Sequence, residues 1–397
     1  MSLNLDKTTW KRVRLGDVIR RSRIQADPVN GEVDRYVGGG HIDSDSLTVE
    51  RSGDVNDGKM GSTFTYLFQP GQVLFVSARP YLRKSGVVNF SGVVADKTYV
   101  LDAVHENGLL QEFLPFVLAS DHFIAFATAE ASGSMNPRLL WGQMQRYEFD
   151  LPPLDEQQRL ADLLWALERH RAELDGQTSA IEVVLRCFLA QSFRAAPGPQ
   201  VRIVDLCTDV VGGIWGSPEG EAEIDVLALG PRVYADDATQ LATDGSPVRS
   251  VSKRQAEVRL VRDGDIILER SGGSPTQPVG RVVIADGELA PCIPTDFQRL
   301  LRPNRDVVEP RFLFWRLRHD WAAGVTRDYA KKTTNITNLS VKDYIARSIA
   351  VPSIAEQTHL LGRVTSFEDT LTRVAGERSK LDVLCRSLHD EIFGGAE

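Results

Sequence analysis

LPPLDEQQRLADLLWAL (151–167) and VPSIAEQTHLLGRVTSF (351–367) repeat one design at an offset of 200 residues: a proline, a Glu-Gln pair and an amphipathic stretch. Solenoid units recur every 20 to 50 residues or so, and here there are only two copies, so the spacing points to a duplicated domain pair. Leu160, Leu167, Leu174, Ile181 and Phe188 follow the first proline at a strict interval of seven; Leu360, Phe367, Val374, Leu381 and Leu388 do the same in the second copy. That is the seam of a coiled coil. At 1.5 Å per residue, a helix of about 40 residues spans roughly 60 Å. The companion seam position is interrupted by Arg171 and Arg378, a device that can fix register and orientation at some loss of stability. Gly176 and Gly376 share one repeat position. Because a glycine in a helix interior costs about 1 kcal/mol against alanine, they read either as a close approach or kink of the helices or as tolerated surface residues.

The duplication extends outside the helices. VRLGDV (13–18) matches VRIVDL (201–206), and PGQVLFV (70–76) matches DGDIILE (263–269), a turn feeding a buried strand. Each is followed by a loop rich in basic and small residues, SARPYLRKSG (77–86) or RSGGSPTQPVGR (270–281). Each segment closes on a polar stretch, ASGSMNPR (131–138) or KKTTNITN (331–338), and an apolar strand into the proline. The expected fold class is α+β. Globular domains at 1–150 and 196–350 are each followed by a helical region, 151–195 and 351–397, with AAPGPQ (195–200) as linker. Antiparallel pairing of the helices would give two pseudo-twofold-related globular domains separated by a coiled coil. Asp155, Glu156 and Glu356 suit the positive end of the helix dipole, and Pro152 and Pro352 punctuate the change from strand to helix. Gln157 and Gln357 are left for tertiary or partner contacts.

Composition narrows the function class. Hydrophobic content of 42% and charged content of 25% are those of an ordinary globular protein. With no run of 18 apolar residues and no apolar signal segment at the N-terminus, a cytoplasmic location away from membranes is expected. Cys187, Cys207, Cys292 and Cys385 lie at least 20 residues apart, which excludes a local C-x-x-C site and suggests inert thiols. The net charge is −8, yet the helical segments carry more than half of the deficit, so the globular segments are near neutral and have room for a basic face. The seven histidines form no H-x-x-x-H or H-E-x-x-H pair, and neither a G-x-S-x-G nor a phosphate-loop sequence appears. These absences favour binding over catalysis, with no metal and no cofactor of the chain's own. Two diverged domains held about a DNA turn apart would suit a bipartite site on one duplex.

The order globular domain, P-P-L-x-E-Q helix, globular domain, P-x-x-x-E-Q helix, with L-G-D-V near the start and G-D-I-I-L-x-R-S-G in the second domain, resembles the specificity (S) subunit of type I restriction-modification systems. The resemblance implies a non-catalytic subunit whose two target-recognition domains each read half of an asymmetric split sequence in double-stranded DNA. It further implies that the helices dock two modification (adenine methyltransferase) subunits, which use S-adenosylmethionine, and that ATP-dependent restriction subunits join in some systems. By position, Pro152, Glu156 and Gln157, with Pro352, Glu356 and Gln357, would belong to the partner-docking conserved regions. The second copy departs from the first in having Ser353 and Ile354 for Pro153 and Leu154. Two other readings remain at this stage: a specificity protein of another phage-defence or methylation assembly, and a coiled-coil scaffold that does not bind DNA.

Base-reading residues do not carry over by resemblance, so the candidates rest on chemistry, in which Arg suits guanine, Asn and Gln suit adenine, and Lys and Thr suit phosphate. In the first domain they are Arg20, Arg21 and Arg23, then Arg79, Tyr81, Arg83 and Lys84, and Asn136 with Arg138. The loop around Arg35, Tyr36 and His41 is a further candidate. In the second domain they are Arg249, Lys253 and Arg254, then Arg270 and Gln277, and Lys331, Lys332, Thr333 and Asn335.

Overall fold

The structure, a computed structural model, describes residues 3, 5–274, 277–332 and 336–394. Its contacts divide the chain into two compact units, Met1–Gly176 with Val374–Glu397, and Gln177–Arg373. The divisions fall inside the two long helices, α1 (Leu154–Arg194) and α2 (Ile354–Phe393). Each unit therefore combines a globular segment with one half of each helix, and the linker at 195–200 lies within the second unit.

In the first unit a five-stranded sheet runs in the order Ile19–Ser22, Thr98–Ala103, Val73–Val76, Ser85–Val88, Thr48–Val49. The run Val-Leu-Phe-Val at 73–76 forms a buried strand because the turn at Pro70-Gly71 releases the chain directly into it; Gly71 has φ +88°, a conformation that favours glycine. A second sheet contains the parallel pair Arg35–Val37 and Gly92–Ala95. Phe75, Tyr99, Phe113, Phe116 and Phe123 form the core with Leu160 and Leu164 of α1 and Leu388 and Ile392 of α2.

The second unit repeats the plan. Cys207–Gly212, Gln298–Pro303, Ile266–Glu269 and Val282–Ile284 follow the same antiparallel order. The parallel pair recurs as Ile224–Leu229 with Cys292–Pro294. Lys11–Arg14 pairs with Glu148–Leu151 in the first unit, as Gln200–Arg202 pairs with Ser348–Ala350 in the second. Single hydrogen bonds correspond too: Leu139 N–H donates to the Ser77 carbonyl at 2.9 Å, and Leu339 N–H to the Arg270 carbonyl at 2.7 Å. Because Val76 lies opposite Thr98 and Glu269 opposite Gln298, Tyr99 and Arg299 occupy the same register position. The core here joins Phe312, Phe314 and Tyr344 to Leu185, Leu189 and Phe193 of α1 and Val364 of α2.

All ten seam residues are buried or half-buried. In the first unit the helices run antiparallel: Arg171 faces Asp382 and Arg378 reaches Asp175 at 2.9 Å. The two arginines that interrupt the seam are thus met by acids, Arg171 also by Glu168 and Arg378 also by Asp382. In the second unit Phe188 packs on Phe367 with ring centroids 5.8 Å apart. A Cβ added at Gly176 or Gly376 would meet nothing within 4 Å, so neither glycine serves a close approach, and both are exposed surface positions.

Candidate nucleic-acid interface

In the first unit the loop after Val73–Val76 is sewn to the polar stretch before residue 139. Arg79 N–H donates to the Pro137 carbonyl at 2.7 Å, and Arg79 Nε donates to Asn136 Oδ1 at 2.7 Å. Arg79 and Arg83 both adopt left-handed backbone, φ +52° and +53°, a strained conformation for a residue with a Cβ, which the loop's hydrogen bonds hold in place. Arg79 and Asn136 are exposed, and Tyr81 is 50% exposed. Arg20 and Arg23 are exposed and make no ion pair among the described residues, while Arg21 lies over the rings of Tyr99 (4.3 Å) and Tyr66 (5.7 Å). Burial lowers the Arg21 pKa from its ordinary value, and Arg23 and Arg138 are close enough to add to the effect. Arg21, Arg23 and Arg138 therefore lie near one another.

The other candidates in this unit are engaged internally. Arg83 pairs with Asp121 at 2.7 Å and with Asp45, and donates to the Ala119 carbonyl at 2.7 Å. Lys84 donates to the Gly39 carbonyl at 2.6 Å. Arg138 pairs with Asp96 at 3.0 Å and donates to Ser77 Oγ at 3.0 Å. These three shape the loops. Near the triple glycine, Tyr36 is 6% exposed and packs edge-on against His41 and Phe64, while Arg35 lies over Phe90; this region is an aromatic cluster.

In the second unit Ser271–Gly272, Thr337–Leu339 and Ala330–Lys332 form a three-stranded sheet. It brings the loop of Arg270 and Gln277 beside the exposed Lys331 and Lys332. Thr333 and Asn335 lie outside the described residues. Arg249 belongs to a different sheet, where it lies 4.9 Å over Trp215, and the exposed Lys253 and Arg254 open a short helix that follows it. Two cations escaped the sequence reading: Arg299 and Lys342 line a cavity of about 340 Å³ with Arg270. Arg299 lies inside a strand and Lys342 follows Ser340, outside every polar loop motif; only the register match with Tyr99 signals Arg299.

The Glu-Gln motif performs the same task in both copies. Gln157 is fully buried; its amide donates to the Pro152 and Gly108 carbonyls at 2.8 and 2.7 Å and accepts from Leu110 N–H at 2.9 Å. Gln357, also fully buried, donates to the Pro352 carbonyl at 2.8 Å and accepts from Glu309 N–H at 2.8 Å. Pro152 and Pro352 are buried as well. The departure at Ser353 has a physical use: Ser353 N–H and Oγ donate to Glu356 at 2.9 and 2.7 Å and Glu356 N–H donates back to Ser353 Oγ, a capping box. Proline at 153 has no N–H for that bond, and Glu156 instead accepts from the Trp10 indole N–H at 2.9 Å. Of the six motif residues, Glu356 is exposed and Glu156 half-buried.

Among the described residues no three His, Cys, Asp or Glu side chains are grouped to hold a metal ion, and no helix is long and apolar enough to cross a membrane.

Residues 7–182 match the family described as type I restriction modification DNA specificity domain. A Methanocaldococcus jannaschii protein named as the specificity subunit of the type I restriction enzyme MjaX is 22% identical over 173 residues, 44% of this chain. The match spans 36% of that relative's length. In fold, the chain is similar to one from a structure of type I restriction-modification complex assembly and conformational transition, with TM-score 0.61, 21% identity and 98% of both chains covered. It is also similar to the S subunit of a type I restriction-modification system from M. genitalium, with TM-score 0.57, 13% identity and 100% of both chains covered. Residues 7–182 thus match the type I restriction modification DNA specificity domain, and over nearly its whole length the chain has the fold seen in these type I restriction-modification structures.

Proposed function

We propose that the chain is the DNA sequence-recognition subunit of a type I restriction-modification assembly, each unit reading one half of an asymmetric bipartite site in double-stranded DNA. One observation carries this reading: two units with the same strand order present unlike residues at equivalent positions. Tyr99, Ser77 and Arg138 of the first unit correspond to Arg299, Arg270 and Asn338 of the second. A shared scaffold whose residues have diverged is what reading two unlike half-sites requires. In the first unit Arg20, Arg21, Arg23, Arg79, Tyr81 and Asn136 are the contact candidates, with Arg83, Lys84 and Arg138 holding their loops. In the second, Arg270, Gln277, Lys331 and Lys332 form the main group, and Arg249, Lys253 and Arg254 a separate one. Arginine forks and asparagine amides suit base edges, and lysines suit phosphates.

The long helices carry two modification subunits, which perform adenine methylation, and restriction subunits join where the system has them. The chain itself supplies no catalytic step. In the repeated motif, Gln157 and Gln357 fix each helix to its own globular segment, and Glu156 and Glu356 are engaged by Trp10 and Ser353, leaving the exposed helix faces for partner docking. Sequencing of methyladenine in host DNA with and without this gene tests the proposal: loss of methylation at one asymmetric two-part motif is expected, and an unchanged pattern would overturn it.

A further inference from the structure

Arg270, Arg299 and Lys342 converge on a cavity of about 340 Å³ in the second unit, walled by Val210, Leu339 and Ile345, and no acidic residue lines it. None of the three cations makes an ion pair among the described residues. Arg299 Nη1 donates to the Gln298 carbonyl at 2.8 Å, and Arg270 Nη1 makes a long bond to the Asp296 carbonyl at 3.4 Å. The Asp296 side chain is exposed and attracts Arg299 only through space. Burial, and next the neighbouring Arg270, lower the Arg299 pKa from its ordinary value. Two half-buried guanidiniums side by side are costly unless something negative joins them.

The fold does not require these charges. At the equivalent register position the first unit has Tyr99, whose hydroxyl donates to the Leu139 carbonyl at 2.8 Å, and the nearby Arg138 is neutralised by Asp96. Elsewhere in the second unit, three half-buried arginines have acids to match: Arg281 with Glu269, Arg302 with Asp265, Arg347 with Asp320. Arg270 and Arg299 have none, and their cavity adjoins the sheet that carries Lys331 and Lys332.

We propose that this cavity seats one phosphate of the DNA backbone, gripped by the Arg270 and Arg299 forks and neutralised further by Lys342. The inference rests on the DNA-reading function proposed above and assigns this site a positioning role: it sets where the second unit sits on the duplex and carries no sequence information itself. Arginine forks match phosphate oxygens in pairs.

The test uses the full chain, as wild type, Arg299→Gln and Lys342→Gln, with duplex DNA across a salt series and with inorganic phosphate in thermal melts. Each variant is expected to lower the slope of log affinity against log salt by about one, equally for a target and an unrelated duplex. Inorganic phosphate is expected to raise the melting temperature of the wild type but not of Arg299→Gln. If wild-type binding is steeply salt-dependent and neither variant changes the slope, the phosphate seat is wrong while DNA reading stands. Phosphate stabilisation with no salt-dependent DNA binding would mark a free-anion site and overturn both. Lys342 is exposed, so its variant keeps the test decisive if Arg299→Gln fails to fold.

Discussion

Gln157 and Gln357, 200 residues apart, make the same bond: each amide donates at 2.8 Å to the carbonyl of the proline five residues earlier, Pro152 or Pro352. Each also accepts a backbone N–H from its own globular segment, Leu110 or Glu309. Replacing either with leucine strands buried donors and acceptors, at about 1–3 kcal/mol for each group left unsatisfied. Gln157→Leu is expected to be the more damaging, since Gln157 holds a third partner, the Gly108 carbonyl. Thermal or urea melts of the two variants check the ranking, and equal losses would contradict it.

Glu269 in the second unit is 1% exposed and accepts from Arg281 Nη2 at 2.7 Å and Nε at 3.0 Å, as well as from Gly280 N–H at 3.3 Å. Arg281→Met leaves that carboxylate buried without its cation, and a loss of about 3–5 kcal/mol is expected. Adding Glu269→Gln should recover part of it, because the burial penalty falls most heavily on the charged form. Urea melts of the single and double variants measure this; a double variant no better than the single one would show that packing, not charge, sets the cost.

His389 lies in the first unit against Phe116 and Phe393, with Asp121, Asp390 and Arg83 around it, and burial lowers its pKa below 6.5. The unfolded chain then holds more proton than the folded one just below that value, so stability rises with pH there. The His389 contribution is complete above pH 6.5 and is lost as the pH falls toward the depressed value. His319, half-buried against Phe193, is lowered in the same direction. Melts between about pH 7 and pH 5 should show a declining midpoint, and His389→Phe should flatten the part that belongs to the first unit.

Burial pushes the Cys207 thiol up to about 12 and the Cys292 thiol up to about 11, and raises that of Cys385, whereas Cys187 is exposed on α1. Thiolate is the reactive form. Iodoacetamide under native conditions at mildly alkaline pH is expected to label Cys187 first and Cys385 more slowly, with Cys207 and Cys292 reacting only on unfolding. Peptide mass mapping reads the order.

The helices were legible because a coiled-coil seam is written locally, as an apolar residue at every seventh position, and all ten are buried or half-buried. The duplicated strands were legible for a related reason, since a turn followed by an apolar run has few alternatives. Which basic residues are free was not legible. Arg79 and Arg83 sit four positions apart in one loop, yet Arg83 is held by Asp45 and Asp121, acids that only the tertiary fold brings near. Nor was Arg299, which reads in sequence as one residue of an ordinary strand and becomes notable only beside Arg270 and opposite the fate of Tyr99. The same holds for Gln157 and Gln357. Their repetition announced a task, but the task, satisfying backbone groups about 50 residues earlier, depends on the fold.

The most direct test of the account exchanges residues 1–150 for the corresponding segment of a specificity subunit with a different target and maps methyladenine across the host genome by long-read sequencing. The expected result is a motif in which one half changes and the other half stays as it was. A change in both halves, or in neither, would contradict the assignment of one half-site to each unit.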